Sequence, residues 1–180
     1  LSDWSSDVCS SDLEINSLTA DKGSSIQSLN AGSVVAINTS HSIISATGIF
    51  AQGANSSITV NAGTGITILE GATIAARDNF ATILLQATDF IHLNSGSAVT
   101  SGARFDFVGN TPVAVKTGTD ATLTISTTGE LNIAGSVTAA GALTINSGET
   151  VSTYADYFDT LPGKTLVAIT DSVKISSIID

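Results

Sequence analysis

Few side chains in this chain can do chemistry, and their spacing decides what kind. There are two histidines (His41 and His92), one cysteine (Cys9), and six basic residues against 16 acidic ones. A polysaccharide lyase or hydrolase needs acids or bases gathered on one face. The densest candidates are Asp156 and Asp159 beside Tyr154 and Tyr157. Arg104 and Asp106, two apart, can share a strand face and form a surface ion pair of little energetic weight. His92 reads as a solvent-facing imidazole with no carboxylate or second histidine in its predicted stack, and His41 sits in a Ser/Thr-rich turn with no predicted partner. Asp89, Asp120 and Glu130 are not spaced as a cation-ligand set, and the calcium-binding Gly-Gly-x-Gly-x-Asp repeat is absent. The segment 161–165 (LPGKT) ends like a phosphate-binding loop, yet Phe158 stands where that motif needs its first glycine. The expectation is therefore no catalytic, cofactor-binding or metal-ligating residue, and no small-molecule cofactor.

The remaining composition narrows the class. Only 12% of the residues are charged and 5% aromatic, whereas 42% are hydrophobic. Disordered chains are poor in Val, Ile and Leu, and this one is not. Low charge with abundant β-branched residues favours many short strands. The net charge of −10 opposes nucleic acid, whose phosphates call for clustered Lys and Arg. No run of about 18 apolar residues marks a transmembrane helix. No basic start followed by an apolar stretch marks a signal peptide. The chain has no Met and begins with Leu, which reads as a piece of a longer product.

Residues 1–13 stand apart. Positions 3–13 (DWSSDVCSSDL) hold the only Trp and the only Cys, and match, residue for residue, a translated sequencing adapter. Such a scar is excluded from fold reasoning. Without Asp3, Asp7 and Asp12 the rest carries 13 acidic and six basic residues, and no cysteine to act as nucleophile, ligand or disulfide half.

The elements that must position everything else are repeats. Ile58/Val60, Ile66/Ile68 and Ile74 fall on Ile83/Leu85, Ile91/Leu93 and Val99 at a constant offset of 25 residues. Read outward from there, the first strand of successive units is Val35/Ile37, Ile58/Val60, Ile83/Leu85, Phe105/Phe107, Leu123/Ile125 and Leu143/Ile145. Unit starts are 23, 25, 22, 18 and 20 residues apart. A second strand follows eight residues later (Ile43, Ile66/Ile68, Ile91/Leu93, Val113/Val115, Leu131/Ile133, Val151). A repeat of this length with period-two alternation and no helical pattern predicts a solenoid. The expected fold is all-β: a right-handed parallel β-helix of about six coils of 18–25 residues. It spans residues 14–151, with residues 14–33 as a partial first coil. Residues 152–180 form an irregular insertion or cap, with Leu166–Ile169 and Val173/Ile175 able to start a further coil.

The register also predicts what faces out. The first strand presents Ala36, Thr59, Leu84, Asp106, Thr124 and Thr144. The second presents Ile44, Thr67, His92, Ala114, Asn132 and Ser152. Asn38, Asn61, Gln86, Ser126 and Asn146 stack at one corner, as a ladder that satisfies turn amides. Gly65, Gly71, Gly96, Gly129, Gly135 and Gly148 allow the corners to bend and to take positive φ. A Thr array of the ice-binding kind is broken by Leu84 and Asp106.

The coils 57–68 (SITVNAGTGITI) and 142–148 (ALTINSG) resemble the repeats of filamentous-haemagglutinin-like exoproteins, bacterial adhesins exported by two-partner secretion, and autotransporter passengers. The resemblance covers about residues 30–151 and rests on repeat texture. It implies a non-enzymatic segment of a secreted or cell-surface rod, outer-membrane-associated, serving as stalk or as binder. Its implied partners are a host or neighbouring cell surface, matrix or glycans, and an outer-membrane secretion partner of the full-length protein. The alternative is a fragment of a carbohydrate-active β-helix enzyme whose catalytic coils lie elsewhere or in residues 152–165.

Overall fold

The computed structural model describes residues 18–20, 25–108, 111–149, 151–153 and 172–177. All regular structure among them is β. Two short strands, β1 (Leu18–Ala20) and β2 (Ser25–Ser28), precede a recurring triplet of one long and two shorter strands. The triplet appears as β3 (Val34–Thr39), β4 (Ile43–Ser45) and β5 (Gly48–Ala51), then as β6 (Ser57–Ala62), β7 (Gly65–Ile68) and β8 (Thr73–Ala76). It returns as β9 (Thr82–Ala87), β10 (Phe90–Leu93) and β11 (Ala98–Ser101). After β12 (Ala103–Val108) and β13 (Thr111–Lys116) it resumes as β14 (Thr122–Thr127), β15 (Glu130–Ile133) and β16 (Ser136–Ala139). The last strands are β17 (Ala142–Ser147), β18 (Val151–Thr153) and β19 (Ser172–Ser177).

Equivalent strands of successive triplets pair in parallel, giving three sheets. Sheet A is β3-β6-β9-β14-β17-β19, sheet B is β1-β4-β7-β10-β15-β18, and sheet C is β2-β5-β8-β11-β16. This is the arrangement of a β-solenoid. The alternation expected from the sequence sets its interior. Val35, Ile58, Ile83, Leu123 and Leu143 lie in register along sheet A, as do Ile37, Val60, Leu85, Ile125 and Ile145. Ile43, Ile66, Ile91 and Leu131 line sheet B, and Ile49, Ile74, Val99 and Val137 line sheet C. All are buried in one continuous core. β1 and β2 join the stack, placing Leu18 in register with Ile43 and Ile26 with Ile49.

The structure corrects one unit of the repeat. Phe105/Phe107 and Val113/Val115 are not two parallel strands of a coil. Instead β12 and β13 pair antiparallel, Ala103 opposite Lys116 and Val108 opposite Thr111, as a hairpin outside the stack. A hairpin alternates with the same period as a solenoid strand, so the apolar pattern alone does not separate them. The unit spacings of 22 and 18 therefore dissolve, and Thr82 of β9 is in register with Thr122 of β14 across the inserted segment. Asp106 and Ala114 leave the outward stacks, which run Ala36-Thr59-Leu84-Thr124-Thr144 and Ile44-Thr67-His92-Asn132. The Thr row is interrupted by Leu84 alone. Sheet C is also unlike A and B, because its outward residues Ala75, Thr100 and Thr138 are buried. The first hairpin strand touches β8, β11 and β16 of this sheet.

The corner glycines divide by task. Of the six expected to take positive φ, Gly71 and Gly96 do. At Gly129 and Gly148 the need is close approach: an added Cβ would fall about 2 Å from the Asp89 and Thr128 carbonyl oxygens of the preceding coil. Gly65 leaves room for the Phe90 ring and Gly135 for the Ser97 hydroxyl.

Candidate functional site

Three surfaces gather polar side chains. The first is the outward face of sheet B. Here His92 Nε2 stands 3.4 Å from Glu130 Oε1 of the next coil, and the His92 ring lies 4.8 Å from the Phe90 ring. His92 thus meets a carboxylate from outside its own stack. Glu130 is diagonal to His92, one strand over and two residues earlier in register, so a list of directly stacked residues misses it. The contact is an ion-pair distance without hydrogen-bond alignment, and Nε2, shielded from solvent, makes no hydrogen bond. Asn132 Oδ1, in register beside His92, is likewise unbonded. One imidazole and one half-exposed carboxylate make a modest surface pair, not an acid–base couple flanking a bond.

The second surface is the corner between sheets A and B. A groove of about 660 Å³ runs across it, lined by Asn38, Asn61, Gln86, Thr88 and Thr128 over a floor of Ala62, Gly63 and Ala87. Asn38, Asn61, Gln86, Ser126 and Asn146 are in register as expected. Asn61 Nδ2 donates to Asn38 Oδ1 at 2.8 Å, but Asn61 Oδ1 finds no donor. The turn amides are served by the next, inward-facing residue. Thr39 Oγ1 accepts from His41 N–H, Thr127 Oγ1 from Gly129 N–H, and Ser147 Oγ from Glu149 N–H. Both Thr127 and Ser147 hydroxyls also donate to carbonyls, of Thr88 and Gly129 respectively. Hydroxyls buried at the strand end, not the amide row, close these corners.

The third surface is the corner from sheet C back to sheet A, and sequence reasoning did not single it out. Gly32, Asn55, Phe80 and Asp120 each stand two residues before a long strand of sheet A. All four adopt a left-handed backbone, with φ of 70°, 60°, 57° and 54°. The N–H groups of the first three repeat one bond: Gly32 to Ala54 O, Asn55 to Asn79 O, Phe80 to Thr119 O. Gly, Asn and Asp tolerate this conformation. A bulky side chain there costs about 1–2 kcal/mol. Phe80 bears that strain while 52% exposed, so its burial does not compensate. The turn beneath it is clamped. Gly53 N–H donates to Asp78 Oδ2 at 2.9 Å, and Asn79 Oδ1 accepts from both N–H and Oγ1 of Thr119. A readable signal existed in the residue types two positions before β3, β6, β9 and β14, where Phe80 is the outlier.

Arg104 and Asp106 do pair, on the hairpin, through two contacts of 2.9 and 3.1 Å. The hydrogen bond to Asp106, and then its charge, raise the guanidinium pKa further above its ordinary value. Among the described residues, no three His, Cys, Asp or Glu side chains converge as a metal set. Asp89 and Glu130 are neighbours, the Glu130 N–H donating to the Asp89 carbonyl at 2.9 Å, whereas Asp120 stands at the corner before β14. Residues 1–13, the Asp156, Asp159, Tyr154 and Tyr157 cluster, and the 161–165 segment lie outside the described residues. Comparison of the chain with protein-family models, curated proteins and solved structures gave no match.

Proposed function

We propose that this chain is a non-enzymatic segment of a bacterial secreted or surface adhesin, a right-handed β-helix of about six coils that acts as stalk or binding rod. One observation carries the reading: ladders of parallel strands in register hold their apolar residues inside and present mainly Thr, Asn, Ser and Ala along sheets A and B. Such a body is rigid along its axis, and each coil contributes about 4.8 Å of length. Parallel crossovers within one sheet wind right-handed in nearly all proteins, which supports that hand here. Among the described residues, the His92–Glu130 and Arg104–Asp106 pairs lie at the surface, and neither sets two carboxylates across a bond. The repeat texture resembling filamentous-haemagglutinin-type exoproteins supports export to the cell surface by way of an outer-membrane partner. Binding to cell surfaces, matrix or glycans is the activity to test. Immobilised protein is expected to retain cells or matrix components; consistent failure to do so reduces the segment to a spacer. Turnover of an acidic polysaccharide would instead overturn the non-enzymatic reading.

A further inference from the structure

The geometry points to a carbohydrate subsite on the sheet C to sheet A corner, with Phe80 as stacking platform and Asn55 and Asp120 as its polar flanks. This rests on the adhesive reading and gives it a location and a ligand class, a neutral hexose or N-acetylhexosamine chain.

The argument begins with strain. Adjacent coils fill the same left-handed position with Gly32, Asn55 and Asp120, residue types that take it cheaply. Phe80 takes it at a cost and leaves its ring in solvent. Strain held at an over-determined turn is the kind of outlier from which function is inferred. Here the Asp78 and Asn79 clamps hold the turn, so the ring is presented by fixed backbone.

The flanks select the ligand. Asn55 and Asp120 occupy the equivalent positions in the coils on either side, about one strand spacing away each. Both are exposed, and neither side chain makes a hydrogen bond among the described residues. An aromatic face offers apolar contact to ring C–H groups. A free amide on one side and a free carboxylate on the other suit hydroxyls at both edges of a pyranose. The carboxylate and the excess of 13 acidic over six basic residues in 14–180 disfavour sulfated or uronate chains.

The test uses the full chain and soluble tri- to pentasaccharides of hexose and N-acetylhexosamine, followed by saturation-transfer and titration NMR. A neutral oligosaccharide is expected to bind, and a sulfated one of equal length to bind less. Phe80→Asn is expected to raise Tm by about 2–4 °C while weakening binding at least about tenfold, a loss conservative Phe80→Tyr should not share. Absence of neutral oligosaccharide binding, preference for the sulfated chain, or unchanged binding in Phe80→Asn each overturns the subsite. Cell or matrix binding that persists in Phe80→Asn overturns it too, yet leaves the adhesive reading standing. Failure of the unsubstituted chain to bind cells, matrix and oligosaccharides alike overturns both.

Discussion

At the scale of single residues, inward hydroxyls and outward amides at the sheet A to sheet B corner differ in what depends on them. Thr127 Oγ1 accepts from the buried Gly129 N–H at 3.2 Å and donates to Thr88 O at 3.1 Å. Thr127→Val keeps the branched shape but orphans that amide, a loss of about 1–3 kcal/mol. The Thr88 carbonyl still accepts from Thr128 N–H and Oγ1, so the amide dominates. Asn61→Leu removes one bond, to Asn38, at a half-buried site whose Oδ1 is already unbonded, and should cost about 1 kcal/mol or less. Urea titrations of both variants check the order; a larger loss in Asn61→Leu would return the ladder to the main structural role. The sequence made the stacking of Asn38, Asn61 and Gln86 legible, because register follows from period two. It hid their hydrogen bonds, because whether Thr127 or Ser126 reaches the turn amide depends on which way the strand end rotates.

At the scale of elements, the hairpin is an insertion with a definable seam. Gly102 O accepts from both Thr117 N–H and Gly118 N–H, at 2.9 and 3.0 Å, so its two ends meet. Removing residues 103–117 and joining Gly102 to Gly118 leaves five residues between β11 and β14, as many as separate β8 from β9. The 40-residue step from Thr82 to Thr122 then shortens to 25, the step from Ser57 to Thr82. The deleted chain is expected to fold, with a parallel-β far-UV spectrum and a cooperative thermal transition. Its Tm should fall modestly, since β12 touches the buried outer side of sheet C. Aggregation or loss of the cooperative transition would show that the hairpin is integral to the stack. The constant 25-residue offset was therefore plain in the sequence for two units and concealed in the third. Phe105, Phe107, Val113 and Val115 have the spacing of solenoid strands, and only pairing direction distinguishes them.

At the scale of the whole molecule, the core is continuous but each coil packs mainly on its neighbours, so stability is approximately a sum of local interfaces along it. Ile91 is fully buried in β10, with Ile66 of β7 on one side and Leu131 of β15 on the other. Ile91→Ala empties volume between both pairs and should cost about 2–5 kcal/mol. Because the loss sits in the middle, it weakens two interfaces and uncouples the coils on either side. Val35 in β3 has a described neighbour on one side only, Ile58, and Val35→Ala should weaken one interface at the end of sheet A. Native-state hydrogen exchange separates these outcomes, since it reads opening free energy strand by strand. In Ile91→Ala, protection is expected to fall in β7, β10 and β15 and the urea transition to broaden or split. In Val35→Ala, the fall should be confined to β3 and β6. If both variants instead lowered protection equally from β3 to β17, the coils would unfold as one unit, and nearest-neighbour stacking would be the wrong description of this protein.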